Sequence, residues 1–183
     1  MTFLETERLI LRRFTLEDTE AMIVLNGDPR VMRYLGTPVT PERMREEIMP
    51  RLLGEYDRFE GLGSFAAIHR DSGEFLAWTM LRPAPERERL LEVGYRIAPA
   101  FWRQGYATEI AGALVEAAFR DHDAVAVIGL TMAVNAGSRR VLEKAGLTYS
   151  HTFHPEWLEP LEGSDEGEVE YALTREDWGV ISR

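Results

Sequence analysis

The sequence predicts an α/β chain built on a mixed sheet, and three observations carry that expectation. First, Leu90–Ile97 is short and rich in β-branched and aromatic residues, as strands are. Ile110, Leu114, Ala117 and Ala118 then recur at helical spacing through Thr108–Arg120, and the almost continuous apolar run Ala124–Val134 follows, typical of a strand buried on both faces. Such a strand–helix–strand crossover makes the two strands parallel and right-handed in connection. Second, Ser64–Arg70 and Glu74–Leu81 flank the turn Asp71-Ser72-Gly73 and read as a hairpin, so antiparallel pairs are expected beside the parallel one. Third, 183 residues with 45% hydrophobic and 28% charged content suit one domain, 1–183, with a sizeable core.

Taken in order, Arg8–Arg13 is the first expected strand, with Leu9 and Leu11 on one face. Thr15-Leu16-Glu17-Asp18 has the spacing of a capping box and opens a helix carrying Met22 and Leu25. Asn26-Gly27-Asp28-Pro29 ends it, and Val31–Leu35 reads as a short helical turn. Thr40-Pro41 supplies an N-cap followed by proline at the first helical position. The next helix sets Met44, Ile48, Leu52, Tyr56 and Phe59 on one side, and Pro50 should kink or divide it. Beyond Val134, Asn135-Ala136-Gly137-Ser138 opens a helix over Arg139–Ala145 closed by Gly146. Thr148–Phe153 and Glu168–Thr174 are the last strands, and Thr174-Arg175-Glu176-Asp177 repeats the capping pattern ahead of Trp178.

Composition narrows the chemistry. No cysteine is present, which removes disulfide scaffolds, thiolate catalysis and cysteine metal sites. No His-Glu-x-x-His pattern appears, and no metal is expected. Met1-Thr2-Phe3-Leu4-Glu5 lacks a basic region followed by an apolar run, so no signal peptide is expected and a cytoplasmic location fits. The longest charge-free stretch, Ala124–Ser138, falls short of the ~20 residues a bilayer requires. A formal charge of −10 argues against general nucleic-acid binding and fits a cationic or neutral substrate.

The informative stretch is the corner between strand and helix, Ile97-Ala98-Pro99-Ala100-Phe101-Trp102-Arg103-Gln104-Gly105-Tyr106-Ala107-Thr108. Free N–H groups at a helix start, aided by the helix dipole and by Arg103, form a ready anion site. Gly105 carries no side chain to keep a diphosphate from the backbone. Neither a P-loop nor a Gly-x-Gly-x-x-Gly fingerprint is present. The turn resembles the pyrophosphate-binding Arg/Gln-x-x-Gly-x-Gly/Ala motif of the GNAT acetyltransferase superfamily, carried here by Arg103, Tyr106 and Ala107. Glu-Val-Gly-Tyr followed by Trp-Arg-Gln-Gly-Tyr-Ala-Thr-Glu is similar to the RimJ/RimL-type branch. So are Thr6–Arg12 with Asp18, Asn135-x-x-Ser138 with Glu143-Lys144-x-Gly146-Leu147, and Glu170–Arg175 with Trp178, which extends the likeness over nearly the whole chain.

That resemblance implies a GNAT fold: a central, mostly antiparallel sheet with a splayed parallel pair, flanked by helices. It implies acetyl-CoA as co-substrate, lying where Leu90–Ile97 and Ala124–Val134 part. The pantetheine arm would pair with backbone at Ile97 and Ala98, a form of strand addition. The pyrophosphate would sit on the N–H groups of Arg103, Gln104, Gly105, Tyr106, Ala107 and Thr108, with Arg139 and Arg140 as further phosphate candidates. Asn135 and Ser138 match the family's contacts to pantetheine and thiol. The implied activity is transfer of acetyl to a primary amine by direct attack in a ternary complex, the acceptor being a protein N-terminus or a cationic small-molecule amine. Among similar proteins a homodimer is common.

Such a transfer needs a neutral amine, a stabilised oxyanion and a departing thiolate. The family's usual oxyanion donor is a backbone N–H near Ile97. Glu92, in the Glu-x-Gly-Tyr position, is the first candidate base, directly or through a water; its other reading is an ion-pair partner. His69, His151 and His154 are alternatives by pKa. Many members carry a tyrosine seven residues after the asparagine, but here Leu142 stands there. Ser138 is then left to hydrogen-bond the sulfur, or the thiol, with pKa ~8.5, leaves unaided. The stretch Glu156–Glu170 carries seven carboxylates and no lysine or arginine; with His154 and Trp157 it could attract a cationic amine, or be a solvated loop. The rival reading of the chain is a catalytically silent CoA-binding sensor or interaction module.

Overall fold

A computed structural model describes residues 1–85, 87, 89–157 and 159–181. One sheet of eight strands runs in the order β1-β2-β3-β4-β5-β6-β8-β7. Its strands are β1 (Thr2–Glu5), β2 (Leu9–Arg13), β3 (Gly63–His69), β4 (Phe75–Pro83), β5 (Leu90–Ile97), β6 (Ala126–Met132), β7 (Thr148–Phe153) and β8 (Glu168–Thr174). Every neighbouring pair is antiparallel except β5 with β6. The mixed α/β sheet is therefore as the sequence predicts, while β1, a four-residue edge strand, was not foreseen.

The helices are α1 (Thr19–Gly27), α2 (Pro29–Met32), α3 (Pro41–Arg43), α4 (Met49–Arg58), α5 (Tyr106–Arg120), α6 (Ala136–Lys144) and α7 (Arg175–Ile181). The Thr15/Asp18 capping box forms, heading a 3₁₀ turn that runs into α1. Thr40 caps α3 by accepting from the Arg43 N–H, with Pro41 at the first helical position. Between α3 and α4 the chain widens into a π turn, Met44–Ile48, just ahead of Pro50. Proline cannot donate to a carbonyl one turn back, and the wider turn relieves that conflict while keeping Met44, Ile48 and Leu52 on the buried side.

Two apolar layers sandwich the sheet. On one face α5 lays Ile110, Leu114, Ala117 and Ala118 against Leu91, Val93 and Val127. On the other, α1 and α4 bury Met22, Leu25, Met49 and Leu52 against Phe14, Ala66 and Trp78. Strand β6 corrects one expectation. Val127, Ile128 and Met132 are buried, but Leu130 is 37% exposed, so this strand is not covered along both faces. The helices α1–α4 stop short of β6–β8, and that part of the sheet faces a cavity.

Candidate active site

Strands β5 and β6 pair only where Leu90, Leu91 and Glu92 stand beside Ala126, Val127 and Ile128, and then diverge. Past Glu92 the edge of β5 facing β6 has no strand partner, and the gap opens into a cavity of about 950 Å³. Its lining joins the corner, from Phe101 to Thr108 without Gln104, with Glu92–Ile97 of β5, Leu130–Met132 of β6 and the start of α6. This is the V-shaped cleft that the sequence resemblance implies.

The corner is built as an anion cradle. Arg103 and Gly105 both adopt left-handed backbone conformations, φ +60° and +86°. A Cβ on Gly105 would meet only an Arg8 guanidinium nitrogen at 3.4 Å, so conformation rather than space calls for glycine. The N–H of Glu109 bonds the Gly105 carbonyl at 3.0 Å, whereas the N–H groups of Arg103 through Thr108 donate to no protein acceptor among the described residues. Arg8 braces the turn from β2's approach: it donates to the Gln104 carbonyl at 3.0 Å, pairs with Glu109 at 2.6 Å and stacks 4.1 Å from the Tyr106 ring centroid. The unfilled donors and the adjoining cavity suit a diphosphate and its attached chain.

Several expected contacts are displaced. Counted back from Gly105, the motif's first position falls on Trp102, not Arg103. The Trp102 indole donates to the Ile97 carbonyl at 2.7 Å, so that carbonyl already has a partner. Asn135 caps α6 by accepting from the Ser138 N–H at 3.1 Å, which occupies its side-chain oxygen and leaves only its amide N–H₂ for a ligand. Gln104 turns back to the Ala100 carbonyl at 2.9 Å. Arg139 is spent on the Ala133 carbonyl and the Tyr171 hydroxyl, whereas Arg140 and Lys144 line the cavity. Leu142 packs where Gly129 leaves room: a Cβ on Gly129 would run into its side chain, so the position is filled by core, not by a proton donor.

A phenol nevertheless reaches this region from β5. The Tyr95 hydroxyl lies 3.2 Å from both Oγ and the carbonyl oxygen of Ser138. Burial pushes its pKa up to about 12 against the opposing pull of the Ser138 hydrogen bond. Tyr95 was missed because alternation on a strand says which face a residue takes, not what waits across the cleft. A Cβ on Gly94 beside it would lie 2.6 Å from the Met80 methyl, the far end of a flexible side chain that would have to move aside.

On the opposite face of β5, Glu92 is buried and lines the cavity, with Arg82 at 3.1 Å. The ion-pair reading of Glu92 is thus observed, and its place in the cavity lining leaves the candidate-base reading as a proposal. Register carries its face across the sheet: Glu92 stands beside Ile128, Leu130 beside Glu170, and Met132 beside Glu168. Glu168 also lines the cavity and has no cation within ion-pair distance among the described residues. Burial, and then the charge of Glu92, push its carboxyl above the ordinary glutamate range. The sequence offered Glu168 only as one of seven acidic residues in the stretch Glu156–Glu170.

The remaining acidic residues disperse. Glu170 is buried and held by Arg87 at 2.8 Å and His151 at 3.8 Å; Glu162 meets Arg33 at 3.3 Å. Glu156, Trp157 and Glu159 line a second cavity of about 770 Å³ beside the first. Neither cavity is lined by His69, His151 or His154. Tyr149, read as strand packing, is half exposed and meets Tyr171 edge-on.

The comparisons with known proteins agree with this geometry. The domain described as "Acetyltransferase (GNAT) domain" matches residues 8–148. An FsC-acetyl coenzyme A-N(2)-transacetylase of Aspergillus fumigatus is 36% identical over 96% of this chain and 77% of its own length. A GNAT-family acetyltransferase of Bacillus anthracis superposes with a TM-score of 0.76 at 25% identity, covering 96% of this chain and 99% of that one. The ribosomal-protein α-N-acetyltransferase RimL, solved with coenzyme A, shares the fold at 18% identity with a TM-score of 0.79, covering 97% of this chain and 99% of its own. A corner of unfilled amides, a parted parallel pair and these likenesses place the chain in the GNAT acetyltransferase family, as an acyltransferase whose acetyl group comes from acetyl-CoA.

Proposed function

We propose that this protein acetylates a primary amine by direct attack on acetyl-CoA within a ternary complex, in the manner of the RimJ/RimL-type enzymes its sequence resembles. The observation that carries the reading is that one cavity is lined both by Arg103, Gly105, Tyr106, Ala107 and Thr108, whose N–H groups are unfilled among the described residues, and by Glu92 and Glu168. The first hold the diphosphate; the second face the acceptor side.

In this reading acetyl-CoA supplies an activated carbonyl, and the chain's own groups do the rest. Backbone N–H groups toward the end of β5 support the developing oxyanion, where preorganised donors are worth most. Glu168, whose raised pKa brings it nearer neutrality, takes the amine proton through a water, and Glu92 tunes it by charge. Ser138 and Tyr95 converge where the thiolate departs. A phenol held near pKa 12 is a poor acid for a thiol of pKa ~8.5, so the pair acts by hydrogen bonding and not by full proton transfer.

Incubating the protein with acetyl-CoA and a panel of amines while following free thiol tests the assignment. Amine-dependent thiol release is expected, with Glu168→Gln the slower of the two carboxylate variants. Tight CoA binding with no release on any amine would instead support the silent sensor, which Leu142 and the Arg82–Glu92 pair favour.

A further inference from the structure

The two cavities meet at Arg96 and Trp78, which stand opposite each other on β5 and β4 and line both. Arg96 lies four residues beyond Glu92 on the same face of β5. Its guanidinium stacks 4.2 Å from the Trp78 ring centroid, and its Nη1 donates to the buried Asn26 side-chain oxygen. Among the described residues its Nε and Nη2 have no acceptor, and no carboxylate lies within 4.0 Å of it. The charged groups around it do not supply the missing partner. Arg51 is a second cation; Arg82 is taken by Glu92 and Arg43 by Glu47, while Glu156 and Glu159 are exposed at the rim. Burial, followed by the charges of Arg51 and Arg82, lowers the Arg96 pKa to about 10, as befits a cation short of counter-charge. Beside it Trp78 is 8% exposed, yet among the described residues its Nε1–H has no partner, and the Trp157 Nε1–H, at the second cavity, has none among them either. Buried donors without acceptors are uncommon in folded proteins. A half-buried guanidinium with an open fork and two orphan indole donors together describe a receptor for a planar anion with paired oxygens.

We infer that the acceptor is an amine bearing a carboxylate, of the amino-acid class, whose carboxylate is held by the Arg96 fork and the Trp78 indole. The inference rests on the acetyl-transfer reading for the word acceptor, but the carboxylate site stands on its own geometry. Arg96 directly precedes Ile97, near which the acetyl group is expected, so the carboxylate lies close to the attacking nitrogen. That short spacing favours an α- or β-amino acid over a long polyamine. The acidic face then matches the ammonium end, and Arg96 the other.

The test titrates CoA-loaded protein by calorimetry with N-acetylglycine and with N-acetylglycinamide, which differ in the carboxylate alone. The acid is expected to bind at least about tenfold tighter, the weight of a charge-assisted hydrogen bond. Arg96→Gln should abolish that preference and Trp78→Phe should reduce it, with CoA affinity unchanged in both as the check on folding. If Arg96→Gln fails to fold, Arg96→Lys, which keeps charge but loses the fork, should retain only part of the preference. No preference in the wild type, or one undiminished in these variants, overturns the inference. The parallel thiol-release assay separates the two readings. Turnover of amines regardless of carboxylate leaves acetyl transfer standing and removes the carboxylate site. Carboxylate binding without thiol release on any amine does the reverse.

Discussion

Glu168 and Glu92 share one face of the sheet, and their difference is decided by a single neighbour. Arg82 pairs with Glu92, while Glu168 has no cation within ion-pair distance among the described residues and feels the Glu92 charge. A carboxyl whose folded pKa is raised contributes a penalty that grows as pH rises through that value and is absent below the ordinary glutamate range. Glu168→Gln should therefore melt higher than the wild type at pH 8, with the gap closing toward pH 4. The same variant should lower kcat by about 10²–10⁴, the usual contribution of a general base. Calorimetric scans across pH, paired with thiol-release rates, check both; a variant that gains stability without losing rate would move the base elsewhere. Gly105 offers a cleaner residue-scale case, because its left-handed φ of +86° and not its surroundings excludes a side chain. Gly105→Ala should cost about 1–2 kcal/mol and, by shifting the amides of the corner, weaken CoA binding; thermal melts and CoA titration read the two effects separately.

At the scale of elements, local signals foretold what local energetics decide. The capping boxes at Thr15 and Thr174, the cap at Thr40 and the Gly146 stop all appear as read, because each is a hydrogen bond or a φ value fixed within four residues. The edge strand β1 escaped because four residues give no period to measure, and its pairing depends on β2 across the turn. In the same way Tyr95, Glu168 and Arg96 were illegible as site residues: their proposed roles come from what α6, β6 and β4 bring opposite them. The displaced contacts of Asn135 and Trp102 have that cause too, since a motif gives residue types and not which hydrogen bond each makes first. Asp18 shows how far one element leans on another. Burial pushes its carboxyl up, but hydrogen bonds from Arg12, at 2.7 and 2.8 Å, and from the Thr15 N–H outweigh that and hold it below the ordinary range. A lowered folded pKa gives stability that is present above the unfolded value and lost as pH falls through the folded one. Asp18→Ala should accordingly destabilise by about 2–4 kcal/mol at pH 7, near the lower range for breaking a buried pair because Arg12 stays partly wet. Urea titration at pH 7 and pH 3 checks it, the difference shrinking in acid.

Over the whole molecule, the sheet is two parts meeting at a narrow seam. β1 to β5 form one part and β6 to β8 the other, with strand pairing between them, among the described residues, confined to Leu90–Glu92 beside Ala126–Ile128 and with α5 packed across both. A ligand lying in the gap adds contacts to each part, so it should act as a brace as well as a substrate. With a net charge of −10, the protein as a whole repels a polyanion at long range, so on the proposed reading capture should fall to the corner's amides and to Arg103, Arg140 and Lys144, which line the cleft. Saturation at about a hundred times the dissociation constant stabilises the folded state by about 2.7 kcal/mol. For a chain of this size each kcal/mol moves Tm by roughly 2–4 °C, so CoA should raise Tm by about 5–11 °C. The position of the effect matters more than its size. Amides of Val93–Ile97 and of the first turn of α6 should gain hydrogen-exchange protection, while β1 to β3, already paired on their own side, should change little. Protection confined to the corner, with β5 and α6 unaffected, would mean that the diphosphate binds while the arm of the coenzyme lies outside the gap.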